Sequence, residues 1–515
     1  MRDRAAKPDV LGAIIDQARG ERHAAVKDLE RELTYDQLIE EVALVASGLS
    51  ARGVIEGDRV ALLIPNSVDF VVAALASLWI GAIFVPLALI DPEHRLVTIV
   101  TNCAPKVVIT SASREGVADD LESLAGIPLV AITALRGFEP IGPVDRSPRP
   151  VYAIYTSGTT GTPKGVLVGA TAFAAAVQAA SNAVGLSRDS RTLCISPFNF
   201  DGSYANLFST LYCGGLCVIP PRDSLLFART FFHTVSNEAI TFSGFTPSYL
   251  RLLLASPQIA TLDGSSLTTI ALGGEACPVG DLMALWKSAP NIRVFNRYGP
   301  TETTIAVTHI ELTPEIIAEG TVPIGTPHPD VTFNLIDEFG HVLEGPDQVG
   351  ELYVGGVQLM ERYWADDALT KDVLRTDVVS GETLYRTGDL VYRDEKGQYV
   401  YVDRADRVIK RSGVRISLVE LGSVLSALDG VISAVCIAYD NEGELGIAAF
   451  AVVKQGVLAP NLRRAARADL PDTMLPDRFE LVERLPLNKS NKLDEKLLLS
   501  QAGLSPVRRG KSPLA

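Results

Sequence analysis

Tyr155-Thr156-Ser157-Gly158-Thr159-Thr160-Gly161-Thr162-Pro163-Lys164-Gly165 is the most informative stretch of this chain. An apolar, strand-like run from Val151 to Tyr155 leads into it. Glycines let the backbone turn tightly and aim amide N–H groups at an anion. Hydroxyls at Thr156, Ser157, Thr159 and Thr160 add donors, and Lys164 adds a positive charge. That combination suits a polyphosphate. It is not the common P-loop, because Pro163 precedes the lysine and Gly165 stands where a P-loop has the Ser or Thr that holds magnesium. Taken alone, the same residues also make an ordinary Ser/Thr/Gly surface turn.

Upstream, helical and strand-like runs alternate to about residue 130. Leu38 to Leu49 has helical spacing, Arg59 to Ile64 reads as a strand, and Pro65-Asn66-Ser67 opens another helix. Such alternation predicts a mostly parallel sheet with helices on both faces. The Gly- and Pro-rich segment 136–150 reads as a surface connection. A second α/β stretch follows from Tyr152 to about 335. Short strands then dominate 331–403, with turn signals at Asp337-Glu338-Phe339-Gly340 and Asp394-Glu395-Lys396-Gly397. The last hundred residues read as a small α+β unit. Leu421, Val424, Leu425 and Leu428 form a helical stripe that Gly430 ends. Val435 to Ala438 and Ile447 to Val453 flank Asn441-Glu442-Gly443 as a hairpin, and the tail from Ala502 has little to bury.

Composition narrows the function. The 515 residues carry 47 basic and 61 acidic side chains, a net charge of −14. That balance argues against non-specific nucleic-acid binding, which needs a basic footprint. Six cysteines with no CxxC pair suggest neither a disulfide framework nor a zinc site, so Cys213 and Cys217 read as packed thiols. The N-terminus has no apolar core of a signal peptide, and the expected location is the cytoplasm. Phe70 to Ile90 is uncharged and long enough to span a bilayer. A helix through Phe70, Ala74, Leu75 and Leu78 feeding a buried strand at Ile83–Leu87 explains the same composition, and is preferred.

YTSGTTGTPKG resembles the phosphate loop of the adenylate-forming enzymes, the superfamily of acyl-CoA synthetases, luciferases and peptide-synthetase adenylation domains. Further segments match that family in order: LTYDQL (33–38), LWIGAIFVPL (78–87), FDGS (200–203), NRYGPTE (296–302), GELYVGGVQL (350–359), YRTGDL (385–390), DRADRVIKRSG (403–413), LPDTMLP (470–476) and LPLNKSNKLD (485–494). The resemblance covers nearly the whole chain. It implies an α/β fold: a large N-terminal domain (1–404) with a β-rich subdomain, a hinge at 405–407 around Asp406, and a small mobile C-terminal α+β domain (408–501), with 502–515 as a tail.

The family reaction joins a carboxylate to the α-phosphate of ATP, giving an acyl-adenylate and pyrophosphate, after which a thiol attacks the adenylate. Two anions meet in the first step, so positioning and charge neutralisation carry the work. By resemblance, Lys492 bridges carboxylate and α-phosphate oxygens; one such pair at about 4 Å and a dielectric near 20 is worth roughly 4 kcal/mol. Without the motif, Lys492 between Lys489 and Lys496 would read as a solvated lysine. Asn488 and Ser490-Asn491 depart from the family pattern there, where a threonine and Asn-Gly are usual. Glu302 is the implied Mg2+ contact, a hard oxygen ligand suited to that ion; as a bare sequence feature it is equally a carboxylate at a helix start. Thr156 and Lys164 complete the catalytic set, with Ser157, Gly158, Thr159, Thr160 and Gly161 on the phosphates. Gly274, Glu275, Asn296, Tyr298 and Thr301 are implied around the nucleotide, Tyr298 stacking on adenine. Asp389 and Arg404 are implied at the ribose; alone, Asp389 reads as a turn residue. Asp403, Val408, Arg411 and Ser412 depart from the family's hinge pattern.

Asp201 in FDGS matches the aspartate that amino-acid-activating members place against the substrate ammonium. Register with the family pocket adds Gly202, Ala205, Gly244, Ala271, Gly273, Arg297, Ile305 and Ala306. Most are small, which predicts a long or wide pocket. Arg297 is compatible with a second substrate carboxylate, as in aspartate, glutamate, a methylaspartate or a β-amino diacid, and equally with a protein acid. A large apolar β-amino acid also suits the small walls. The chain ends after the small domain, so a stand-alone enzyme serving a separate phosphopantetheine carrier protein in a natural-product pathway is expected. The competing readings are a CoA ligase for an amine-free acid and an inactive nucleotide-binding scaffold.

Overall fold

The computed structural model describes residues 9–20, 22–91, 93–111, 126–144, 149–157, 163–221, 227–376, 381–405, 408–411, 414–441, 444–470, 475–486 and 493–507. The chain forms two compact units, one of residues 1–334 and 353–386, the other of 335–352 and 387–515. The expected hinge at 405–407 falls within the second, with Asp406 itself outside the described residues.

Two sheets formed by the described residues lie wholly within the first unit. Among the described residues the larger has eight strands, in the order Thr308–Leu312, Arg293–Tyr298, Thr269–Gly273, Phe242–Phe245, Arg191–Leu193, Leu216–Val218, Ala24–Lys27 and Glu32–Thr34. Its inner strands are parallel and its two end pairs antiparallel. The other runs Arg362–Tyr363, Pro163–Gly169, Pro150–Ser157, Ile83–Pro86, Arg59–Leu63, Val107–Thr110 and Leu129–Ala131. Helices Tyr35–Ala51, Val68–Trp79, Ala170–Val184 and Tyr204–Tyr212 share one apolar core with both sheets. Strand alternation divides the layers: Val60 and Leu62 face this core, whereas Ala61 and Leu63 pack toward the helix Glu93–Cys103.

The bilayer-like run is thereby explained. Ser67 caps a helix of only 12 residues, Val68–Trp79, in which every residue but Asp69 is buried. A helix enclosed on all sides needs no polar face. The run continues into the buried strand Ile83–Pro86, paired on both edges. Among the described residues no helix is long and apolar enough to cross a membrane.

In the second unit the hairpin Val431–Asn441 and Glu444–Val453 forms as expected, closing at Asn441 opposite Glu444. The helix Leu418–Ser426 packs Leu421 and Leu425 onto it. It ends before Leu428, and Gly430 takes a positive φ of 82°. The tight turns at Asp337–Gly340 and Asp394–Gly397 also form, each closed by an N–H of the glycine to the aspartate carbonyl.

Candidate functional site

The strand Pro150–Ser157 delivers Thr156 to the phosphate-loop segment, and the strand Pro163–Gly169 carries Lys164 back opposite it. Gly158, Thr159, Thr160 and Gly161, and the side chain of Ser157, lie outside the described residues. Thr156 Oγ1 is buried without a hydrogen-bond partner among the described residues. A hydroxyl left unpaired at that position fits a ligand oxygen.

Lys164 Nζ lies 2.8 Å from Glu302 Oε1 and 2.6 Å from the Tyr363 hydroxyl, which itself donates to Glu302 Oε1 at 2.6 Å. The ammonium also sits 4.3 Å from the centre of the Tyr363 ring. Burial alone would raise the Glu302 pKa, but Lys164 and the tyrosine hydroxyl outweigh it and hold the carboxylate below its ordinary range. Sequence reading missed Tyr363. It arrives because the segment after the GELYVGGVQL motif zips along the Lys164 strand: Tyr363 pairs with Val166, Trp364 N–H donates to Gly165, and Met360 N–H donates to the Glu302 carbonyl. Glu302 keeps the hard anionic donor that magnesium prefers, beside a lysine suited to phosphate.

Asp201 begins a short 3₁₀ turn ahead of the helix Tyr204–Tyr212. Its Oδ2 accepts the Ile305 N–H at 3.2 Å and its Oδ1 the Thr301 hydroxyl at 3.3 Å. No cation pairs with it among the described residues. Burial raises its pKa to about 6, against the lowering effect of the Ile305 N–H; nearby Glu302 adds to the rise. Thr304 and Ile305 hold positive φ values of 59° and 69°. A β-branched residue there is strained. Gln358 offsets the strain: its amide donates to the carbonyls of Thr304 at 3.2 Å and Ala306 at 2.7 Å, while its oxygen meets His328 Nδ1 at 2.9 Å. His328 Nε2 in turn meets His309 Nδ1 at 2.9 Å. Burial, the neighbouring His328 and Arg297 push the His309 pKa far down, so this relay is neutral.

Phe200, Gly202, Gly273, Gly274, Arg297, Gly299 and Ile305 line a pocket with Ser196, Phe245 and Thr246. The small residues do not widen it. A Cβ on Gly202 would stand 2.5 Å from the Phe200 ring, and one on Gly273 would stand 2.5 Å from Arg297 Cγ. A Cβ on Gly244 would collide with Asn206 Oδ1 and lie 2.9 Å from Arg297 Nη2. Space read from sequence as room for a substrate is occupied by Phe200, Asn206 and Arg297, three side chains whose convergence no local pattern announces. Ala271 packs lower on the same strand, with Val184, Phe242 and Phe295. Ala205 and Ala306 are buried in the main core. The Glu275 side chain accepts the Ser248 N–H and hydroxyl at the start of the helix Pro247–Leu254. Asn296 Nδ2 donates to the Pro323 carbonyl, and the Tyr298 carbonyl accepts the Val307 N–H.

In the second unit Asp389 pairs in register with Arg404, whose guanidinium lies 3.1 Å from Asp389 Oδ1 and 2.7 Å from the Thr387 carbonyl. Lys492 lies outside the described residues.

Comparison with known proteins is consistent with this geometry. The chain is 31% identical over 482 residues to tyrocidine synthase 3 of Brevibacillus parabrevis, covering 91% of the chain and 7% of that protein. It spans only 44% of tyrocidine synthase 1 from the same organism. An L-proline–[L-prolyl-carrier protein] ligase of Streptomyces coelicolor is 29% identical over 508 residues, 94% of each chain. Among solved structures, a four-domain nonribosomal peptide synthetase bound to AMP and glycine superposes with a TM-score of 0.82 at 25% identity, over 95% of this chain and 36% of that one. The o-succinylbenzoate CoA synthetase of Bacillus subtilis shares the fold over 97% of this chain and 99% of its own, with a TM-score of 0.82 at 24% identity. The AMP-binding enzyme C-terminal domain model matches residues 420–492. The AMP-binding enzyme model matches residues 15–364, well over half of the chain, and the protein belongs to that family.

Proposed function

We propose that this enzyme activates an amino acid with ATP and passes it to the phosphopantetheine thiol of a separate carrier protein. One observation carries the amino-acid reading: Asp201 is a fully enclosed carboxylate with hydrogen-bond donors but no cation among the described residues. A buried charge of this kind is costly unless paired, and a substrate ammonium supplies the partner. The Streptomyces relative of similar length, named as a carrier-protein ligase for proline, supports the same class.

In the first step a substrate carboxylate oxygen bonds to the α-phosphorus of ATP as the bond to pyrophosphate breaks. Lys164 and Glu302 set the charge at the phosphate end, and Lys492 is the residue proposed to bridge the two reacting anions. Magnesium held by Glu302 would neutralise phosphate charge. In the second step the carrier thiol, losing its proton, forms a C–S bond as the C–O bond to AMP breaks. Exchange of the two half-reactions is assigned to rotation of 408–501 about Asp406, which withdraws Lys492.

Amino-acid-dependent exchange of pyrophosphate into ATP tests the reading. Activity with amino acids but not with their amine-free counterparts is expected, and the opposite preference would move the reading to a CoA or acyl-carrier ligase for an amine-free acid. Lys492→Ala should lower exchange by about 100- to 1,000-fold, the scale of removing one preorganised donor, with ATP binding and thermal melting retained. Near-normal exchange in that variant would remove Lys492 from the mechanism.

A further inference from the structure

Arg297 is an enclosed charge that lines this pocket, and what surrounds it defines a ligand more narrowly. The residue is 8% exposed, on the face of its strand where the neighbouring strands carry Gly273 and Gly244. Both glycines lack the Cβ that would collide with its side chain, so two adjacent strands leave a corridor for one guanidinium. Nη1 meets Asn206 Oδ1 at 3.3 Å. Asn206 is fixed by donating its amide to the Gly244 carbonyl at 2.8 Å, which turns its oxygen toward the arginine. Among the described residues no carboxylate lies within ion-pair distance of Arg297.

A guanidinium has five N–H donors in a planar fork. One neutral acceptor at 3.3 Å leaves most of that capacity unused, and an enclosed, unpaired cation is expensive. Burial lowers its pKa to about 10, with Asp201 opposing the shift, so the group stays cationic at neutral pH. It lines the pocket together with Gly202 and Ile305, which flank and bond the Asp201 carboxylate. No ion pair joins Asp201 to Arg297. An enclosed cation therefore lines the pocket and an enclosed carboxylate lies next to two of its lining residues, each without an ionic partner among the described residues. An ammonium satisfies the carboxylate; because the reacting carboxylate is the one proposed to meet Lys492 and the α-phosphate, the guanidinium calls for a further anion. A planar fork suits a carboxylate for that anion, the anionic group common among amino acids. The Phe200 ring on the Gly202 side, and the arginine filling the Gly244 and Gly273 side, keep the pocket short.

We propose that the enzyme activates a short amino dicarboxylic acid, with Arg297, positioned by Asn206, holding the carboxylate that does not react. This rests on the amino-acid reading above. The test is pyrophosphate exchange by the full chain with aspartate, glutamate and 3-aminopentanedioate, their side-chain amides, alanine, leucine and phenylalanine, and amine-free succinate and glutarate. One amino diacid should exceed its own amide by at least about 100-fold in kcat/KM, the discrimination of a site built around a buried polar partner. Arg297→Gln should cut the diacid value by a similar factor, mainly through KM, and shift preference toward the amide; Arg297→Lys should recover part of the diacid activity. A wild-type preference for a neutral amino acid, unchanged in Arg297→Gln, would overturn this proposal and leave amino-acid activation standing. Equal activity with succinate or glutarate would overturn the amino requirement. A uniform loss across all substrates in both variants would make Arg297 structural and overturn its assignment.

Discussion

Glu302 and Asp201 are enclosed carboxylates of the same unit with opposite acid–base character. Burial works against the charged form in both. Glu302 escapes because Lys164 and the Tyr363 hydroxyl meet it from within the fold. Asp201 has an amide N–H and a hydroxyl but no positive charge among the described residues, and its pKa rises to about 6. The difference separates a carboxylate neutralised from within the fold from one that no described cation neutralises.

Substitution should break this contrast most visibly at Asp201. Asn keeps the acceptor for the Ile305 N–H and removes the charge, so Asp201→Asn should raise KM for the amino acid by about 100-fold or more, the scale of truncating a buried charge pair, with a smaller change in kcat. Unchanged KM and substrate preference would mean the aspartate only anchors the 301–305 loop. At the preassembled cluster the loss is structural: Glu302→Gln leaves Lys164 without its charge partner and should cost about 3 kcal/mol in urea unfolding. A cost near zero would show that the cluster contributes no stability.

Proton linkage sharpens the same comparison with opposite signs. The folded pKa of Asp201, about 6, exceeds its ordinary 3.8, so its contribution to stability is present below pH 3.8 and lost as pH rises toward 6. Relative to wild type, Asp201→Asn should therefore gain about 2–3 kcal/mol between pH 4 and pH 7. Glu302 is displaced below its ordinary 4.5, so its contribution is present above that value and lost on acidification. The penalty of Glu302→Gln should shrink as pH falls below 4.5. Parallel pH trends for the two variants would contradict the contrast. The smallest effect is expected one shell out, where Gln358→Leu removes the bonds that hold Thr304 and Ile305; unfolding should be eased by about 1–2 kcal/mol, and KM for the amino acid should rise. Neither change would mean the loop holds its shape without the His309–His328–Gln358 relay.

Much of the architecture was readable before the structure. Apolar runs with the right period marked the buried strands and the enclosed helix, and turn residues marked the hairpins. Motif order singled out Asp201, Lys164 and Glu302, and the fold brings Lys164 and Glu302 into contact. What resisted reading was everything made by side chains meeting from distant strands. Tyr363 lies 199 residues from Lys164, and only the pairing of their strands brings them together. Asn206 looks like one more polar residue on a helix until Gly244 is placed opposite it. The glycines were the clearest misreading: a missing Cβ records closeness as readily as emptiness, and the two are told apart only by what stands across the gap.

That last point bears on how readily such a pocket changes its taste. Gly273 yields its volume to Arg297, and Gly244 yields its own to Asn206 and Arg297 together. A change at 297 to a small residue would vacate the space beside Gly273, while Asn206, held on the Gly244 carbonyl, would still close the neighbouring strand. If the proposed preference for a second carboxylate holds, a change at that one position would remove the group that meets it, and a taste for uncharged acids would follow from a single mutational step.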